Sequence, residues 1–338
     1  AADNTAIGTL ALTANSSGTD NTAVGYASLD ANTTGADNTA IGDNALGANI
    51  TGSYNTAIGS DALLLNTASE NTAVGQGALD ANSTGVKNVA MSNGALGANT
   101  TGDFNTGLGY RALNANTTAD SNTAVGNDAL LLNTTGANNT AVGALALDAN
   151  TTASFNTAVG TGSLGANTTG AYHTAVGEGA LEANTTASYN TAVGYNAGKL
   201  VTTGEQNVLI GREAGQAGNL SQATLIGGAA GYAMTTATES VGVGYAVLAQ
   251  TTTGASNTAV GWFSMYANTT GANNTAVGTS SLDANTTTSN LTAVGYGALG
   301  ANTTGHNNTA VGSGALTVLT TGTYNTAIGN YALDASNA

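Results

Sequence analysis

Residues 139–150 read Asn-Thr-Ala-Val-Gly-Ala-Leu-Ala-Leu-Asp-Ala-Asn, and Thr-Thr-Ala-Ser-Phe completes a 17-residue unit before Asn156 opens the next. The pentapeptide Asn-Thr-Ala-Val-Gly, or a close variant, begins at residues 4, 21, 38, 55, 71, 88, 105, 122, 139, 156, 173, 190, 207, 223, 240, 257, 274, 291, 308 and 325. These 20 copies are spaced by 17 residues, except that the units opening at Asn55 and Asn207 have 16. Self-similarity at a fixed short period marks a solenoid, in which each unit buries its apolar face only by stacking on its neighbours. Seventeen residues are too few for two packed helices, and glycine with β-branched residues suits short strands and tight turns. Counting from the first Asn, position 4 is Ile, Val, Leu or Met in all 20 units, and position 9 is Leu in 16. Stacked coils turn these into two expected internal ladders, represented by Val24, Leu29, Val142, Leu147, Val277 and Leu282. Position 5 is Gly in 19 units, with Ser92 the exception, as a turn with positive φ or a close approach between coils requires. The expected fold is all-β: a parallel β-solenoid of about 20 coils forming one array over residues 1–338. At the strand spacing of about 4.8 Å per coil, such an array runs roughly 95 Å.

The strand is small or apolar on both faces, with Thr and Val pointing one way and Ala and Gly the other. Strands buried on both sides read this way, so the second face is expected to lie against other copies of the chain. Thr-Thr-Gly-Ala-Asn-Asn-Thr-Ala-Val-Gly, at residues 134–143 and again at 269–278, resembles the head repeats of trimeric autotransporter adhesins. It is more similar still to related repeats of bacteriophage tail fibres and large bacterial surface proteins, and the resemblance covers essentially the whole chain. It implies a left-handed β-roll assembled as a homotrimer, at a cell surface or on a virion. Adhesin head repeats are usually shorter, and this chain shows no coiled-coil stalk, membrane anchor or self-cleaving chaperone domain.

Residues 190–250 depart from the pattern. Gly198, Gly215 and Gly231 replace the position-9 leucine, while Leu209 and Leu225 replace the position-3 alanine and Leu200 and Val201 appear nearby. Volume lost at one site is regained close by, which predicts a local change of cross-section. The alternative is a binding patch around Lys199 and Arg212.

Asn-Thr-Thr or a variant recurs at position 12, including Asn32, Asn99, Asn116, Asn150, Asn167, Asn268 and Asn302. Each such triplet is formally an N-glycosylation acceptor. The structural reading is a ladder of asparagines at a turn, each bonded to its neighbours above and below. The adjacent threonines suggest a flat array of the ice-binding type, but the row is broken between residues 201 and 251. Aromatics flank the strand: Tyr54, Phe104, Phe155, Tyr172, Tyr189 and Tyr324 before it, and Tyr26, Tyr110, Tyr195, Tyr245, Trp262 and Tyr296 after it.

Composition narrows the function. Charged residues make up 7% of the chain and aromatics 5%, with 48 Gly and neither Pro nor Cys, unlike a globular enzyme. The net charge of −15 repels nucleic acid and anionic lipid. No apolar run approaches the ~20 residues of a membrane span. His173 and His306 have no fixed acidic or nucleophilic companion in sequence, and the calcium nonapeptide of other β-rolls is missing, so neither catalysis nor a metal or other cofactor is expected. The expected partner is the chain itself. The units of 17 and 16 sum to the 338 residues, so Ala338 could stack axially on Ala1 of another copy. The expected function is the structural shaft of an extracellular fibre; a carbohydrate- or receptor-binding module is the alternative, and an ice-binding protein a third.

Overall fold

A computed structural model describes residues 2–335, so Ala1 and Ala338, at which axial stacking is expected, lie outside the described residues. The described chain is all-β, a parallel β-solenoid with one three-residue strand per repeat and no helix. It forms two compact stretches, residues 1–171 and 172–338, each built from the same coil.

In the first stretch, strands run from Thr5–Ile7 to Thr157–Val159. Each pairs in parallel with the strand one repeat away and in strict register: Thr5 faces Thr22, Ala6 faces Ala23 and Ile7 faces Val24. The second stretch, from Thr174–Val176 to Thr326–Ile328, repeats this, with Thr174, Ala175 and Val176 opposite Thr191, Ala192 and Val193. Register follows from the repeat, because any slip would turn every side chain to the wrong face.

Stacking does not stop at the strands. Gly25 N–H donates to Ile7 O at 2.8 Å, Leu29 N–H to Ala45 O at 2.9 Å, and Thr33 N–H to Ile50 O at 2.9 Å. The turns therefore pair with neighbouring coils as the strands do, and the backbone polar groups are satisfied without a loop that floats free. The glycine at position 5 makes this possible: Gly25 sits at φ +138°, and a Cβ there would lie 2.7 Å from the carbonyl carbon of Gly42.

The core is thin. In one coil it consists of Ala141, Ala146 and Leu147, all fully buried, flanked by the buried Asn139 and Asn150. This corrects one of the two expected ladders. Leu29, Leu147 and Leu282 are fully buried, but Val142 is 37% and Val277 36% exposed, with Val24 half-buried. Successive side chains of a strand point to opposite faces; here the middle residue, Ala, takes the core, and Thr and Val take the outer face. The inner ladder is Ala with Leu, and the Val ladder lies outside.

The position-9 leucine adopts a left-handed backbone, with φ +52° at Leu29, +54° at Leu147 and +52° at Leu282. That conformation costs a non-glycine residue about 1–2 kcal/mol, whereas burying a leucine contributes about 1.5–3 kcal/mol. Burial wins by a small margin, which explains how Gly can take this position where another side chain fills the space.

Candidate functional site

A surface feature repeated in every coil is the outer face of the strands. Register sets Val142 between Val125 and Val159, with Thr140 between Thr123 and Thr157. Each stretch thus carries a column of threonines beside a column of Val, Ile, Leu or Met, one of each per coil with Val replacing Thr in a few. The apolar column is half-buried or exposed, with Met91 45% exposed within the array and Ile328 72% in the last strand. Strand pairing continues this face from coil to coil in each stretch.

Two columns of asparagine run inside the coils. At position 12, Asn150 Nδ2 donates to Asn133 Oδ1 at 2.8 Å and to the Ala153 carbonyl at 3.0 Å. The same pattern joins Asn32 to Asn15, Asn99 to Asn82, Asn116 to Asn99 and Asn167 to Asn150. In the second stretch Asn268 reaches Thr251, Asn285 reaches Asn268, and Asn302 reaches Thr288. All seven asparagines singled out from the sequence are fully buried, and each spends its amide nitrogen on a carbonyl three residues on. A glycan cannot reach that nitrogen in the folded coil. A second column, at position 1, was not singled out from the sequence: Asn38 N–H donates to Asn21 Oδ1 at 3.1 Å, and Asn38 Nδ2 to the Gly52 carbonyl at 2.9 Å. Its signal was the first residue of the repeat, Asn in 16 of the 20 units.

The position-13 threonines are committed as well. Thr33 Oγ1 donates to the Ile50 carbonyl at 3.1 Å, and Thr100 Oγ1 to the Thr117 carbonyl at 2.9 Å. Lys199 and Arg212 are both ion-paired, Lys199 with Glu182 at 3.0 Å and Arg212 with Glu213 at 3.1 Å.

His173 takes an asparagine place in the position-1 column. Its Nε2 lies 2.6 Å from the Ala187 carbonyl, and its Nδ1 accepts the Asn190 N–H at 3.2 Å. Burial holds its pKa below the ordinary value of 6.5. Burial also raises the pKa of Asp80, Asp148 and Asp283, all at position 10, above the usual 3.8. Among the described residues no group of three or more His, Cys, Asp or Glu is placed to hold a metal ion. No helix among them is long and apolar enough to cross a membrane.

The aromatics before the strand are exposed, and Tyr172 stacks on Tyr189 with ring centroids 5.2 Å apart. A tighter group breaks the periodicity in the second stretch. Phe263 packs edge-on against Tyr245 at 5.9 Å, Trp262 at 4.3 Å and Tyr266 at 4.8 Å. Tyr245 and Trp262 were singled out from the sequence, but Tyr232, Phe263 and Tyr266 were not. The signal was their density within residues 232–266. Compared with known proteins, the chain matches no family model and no curated protein.

Proposed function

We propose that the chain is a structural segment of an extracellular fibre, at a cell surface or on a virion, whose copies pack together through the Thr-x-Val face. The observation that carries this reading is the exposed apolar column, which continues from coil to coil in each stretch while the core lies elsewhere. A contiguous apolar surface of this kind marks an interface. Its columns of β-branched side chains suit a close, flat contact. Three copies are the number that the resemblance implies, with the faces turned toward one axis. The two buried asparagine columns support a structural role, since over most of the array they join one coil to the next by side chains as well as by backbone.

Sedimentation equilibrium tests it. The expected mass is three times 32.6 kDa, and electron micrographs should show fibres of uniform width. A monomer at every concentration would defeat the reading while leaving the solenoid intact.

A further inference from the structure

Residues 212–266 carry a feature that neither the coil nor an assembly through the Thr-x-Val face requires. Three successive coils place Tyr232, Ala249 and Tyr266 at position 10, and Gly228, Tyr245 and Trp262 at position 6. The alanine between two tyrosines leaves a cleft of about 450 Å³, lined by Ala233, Ala246 and Ala249 and walled by aromatic rings. That volume lies in the range of small-ligand sites.

The rings are braced. Phe263 makes edge contacts with Tyr245, Trp262 and Tyr266 at interplanar angles of 72°, 85° and 61°. Tyr245 also lies over Gly228, where a Cβ would stand 3.4 Å from its Cδ2. Yet Tyr232, Tyr245 and Trp262 stay about half exposed, at 44%, 50% and 54%. Rings held in place but left wet have already lost the freedom that binding would otherwise take from them. Two polar residues, Glu213 and Gln250, share the same lining.

We propose that this cleft binds an uncharged hexopyranose chain, its rings stacked on the tyrosine walls and its hydroxyls bonded to Glu213 and Gln250. A pyranose offers an apolar C–H face and a rim of hydroxyls, which matches aromatic walls beside a carboxylate and an amide. A nucleobase would stack equally well, but its phosphates would meet a chain of net charge −15. Arg212, the nearby cation, pairs with Glu213 at 3.1 Å and does not line the cleft, so no cation faces an anionic sugar there.

The test is electrophoresis of the full chain through native gels containing β-glucan, galactomannan, arabinogalactan or polygalacturonate, with Trp262 fluorescence followed in parallel. At least one neutral polysaccharide should retard the chain and shift the emission of Trp262, the chain's one tryptophan. Tyr245→Ala and Tyr266→Ala should each weaken retention about tenfold. Gln250→Ala, at an exposed position where loss of fold is not a concern, should weaken it too. Tyr54→Ala, at a tyrosine outside this group, should change nothing. No retardation by any neutral polysaccharide, retardation unchanged in all three cleft variants, or stronger retardation by polygalacturonate would each overturn the proposal.

Discussion

Leu209 occupies the space that Gly198 leaves: a Cβ on Gly198 would lie 2.6 Å from Leu209 Cδ1. The same leucine approaches Gly215, where a Cβ would lie 2.9 Å from its Cδ2. The core volume that position 9 supplies in other coils is supplied here from position 3. Gly198→Leu alone should overpack the coil and destabilise it by about 1–3 kcal/mol. Leu209→Ala alone should leave a cavity and cost about 2–5 kcal/mol. The double variant puts Leu at position 9 of the coil that opens at Asn190, in the space Leu209 vacates, and should lose less than the sum of the two. Denaturant midpoints of the four chains measure that coupling; additive losses would show that the two sites are independent.

Val142 and Leu147 separate assembly from folding. Leu147 is fully buried, whereas Val142 lies on the outer face. Leu147→Asp should destabilise the coil by more than about 4 kcal/mol, because the carboxylate finds no partner in an alanine and leucine core. Val142→Asp should leave the circular dichroism spectrum and melting temperature nearly unchanged while lowering the mass seen by sedimentation. If Val142→Asp sediments as the wild-type chain does, the Thr-x-Val face is not the contact between copies.

Much of this was legible in the sequence, because a 17-residue period leaves few ways to stack. The strand, the turn glycine and the leucine ladder could all be read from one unit. The placement of the position-4 valine could not, since alternation says only that Ala and Val take opposite faces. Which face is inside depends on how the chain bends after Gly25 or Gly143, and that bend is a tertiary matter. The exchange at Gly198 and Leu209 was visible as compensating volume, although only contacts could show which side chain fills which gap. The aromatic cleft was the least legible: Tyr232 and Tyr266 share position 10 but lie two coils apart, Phe263 sits at position 7, and stacking brings them together.

The asparagine column makes a prediction about modification. Asn150 Nδ2 is bonded to both Asn133 Oδ1 and the Ala153 carbonyl. Asn150→Ala should leave those acceptors unpaired in the interior and cost about 1–3 kcal/mol, read as a lower melting temperature. Folded chain incubated with an oligosaccharyltransferase and its lipid-linked donor should gain no mass, whereas denatured chain should be modified at its Asn-Thr-Thr sites. Glycan on the folded chain at Asn99 or Asn150 would contradict the buried column.

His173 gives the fold a pH dependence whose sign follows from its place. Elsewhere in its column an asparagine accepts the N–H of the next coil and donates to a carbonyl, as Asn139 does toward Asn156 and Ala153. His173 performs both tasks only when neutral, with Nδ1 accepting from Asn190 and Nε2–H donating to Ala187. A second proton would put an N–H against the Asn190 N–H and bury an unpaired charge. Burial accordingly keeps the folded pKa below the ordinary 6.5. Between that lowered value and 6.5 the unfolded chain holds the extra proton and the fold does not. The stability from this site is therefore complete above about pH 6.5 and declines as the pH falls below it. Asp80, Asp148 and Asp283 act in the opposite sense, since burial raises their folded values above 3.8 and their contribution strengthens as the pH falls. His173→Asn removes the first effect and keeps the second. Melting temperatures from pH 7.5 to 5 should fall for the wild-type chain and stay flatter for His173→Asn, which also restores the common residue of the column. Parallel curves for the two chains would mean that His173 does not need to be neutral in its place.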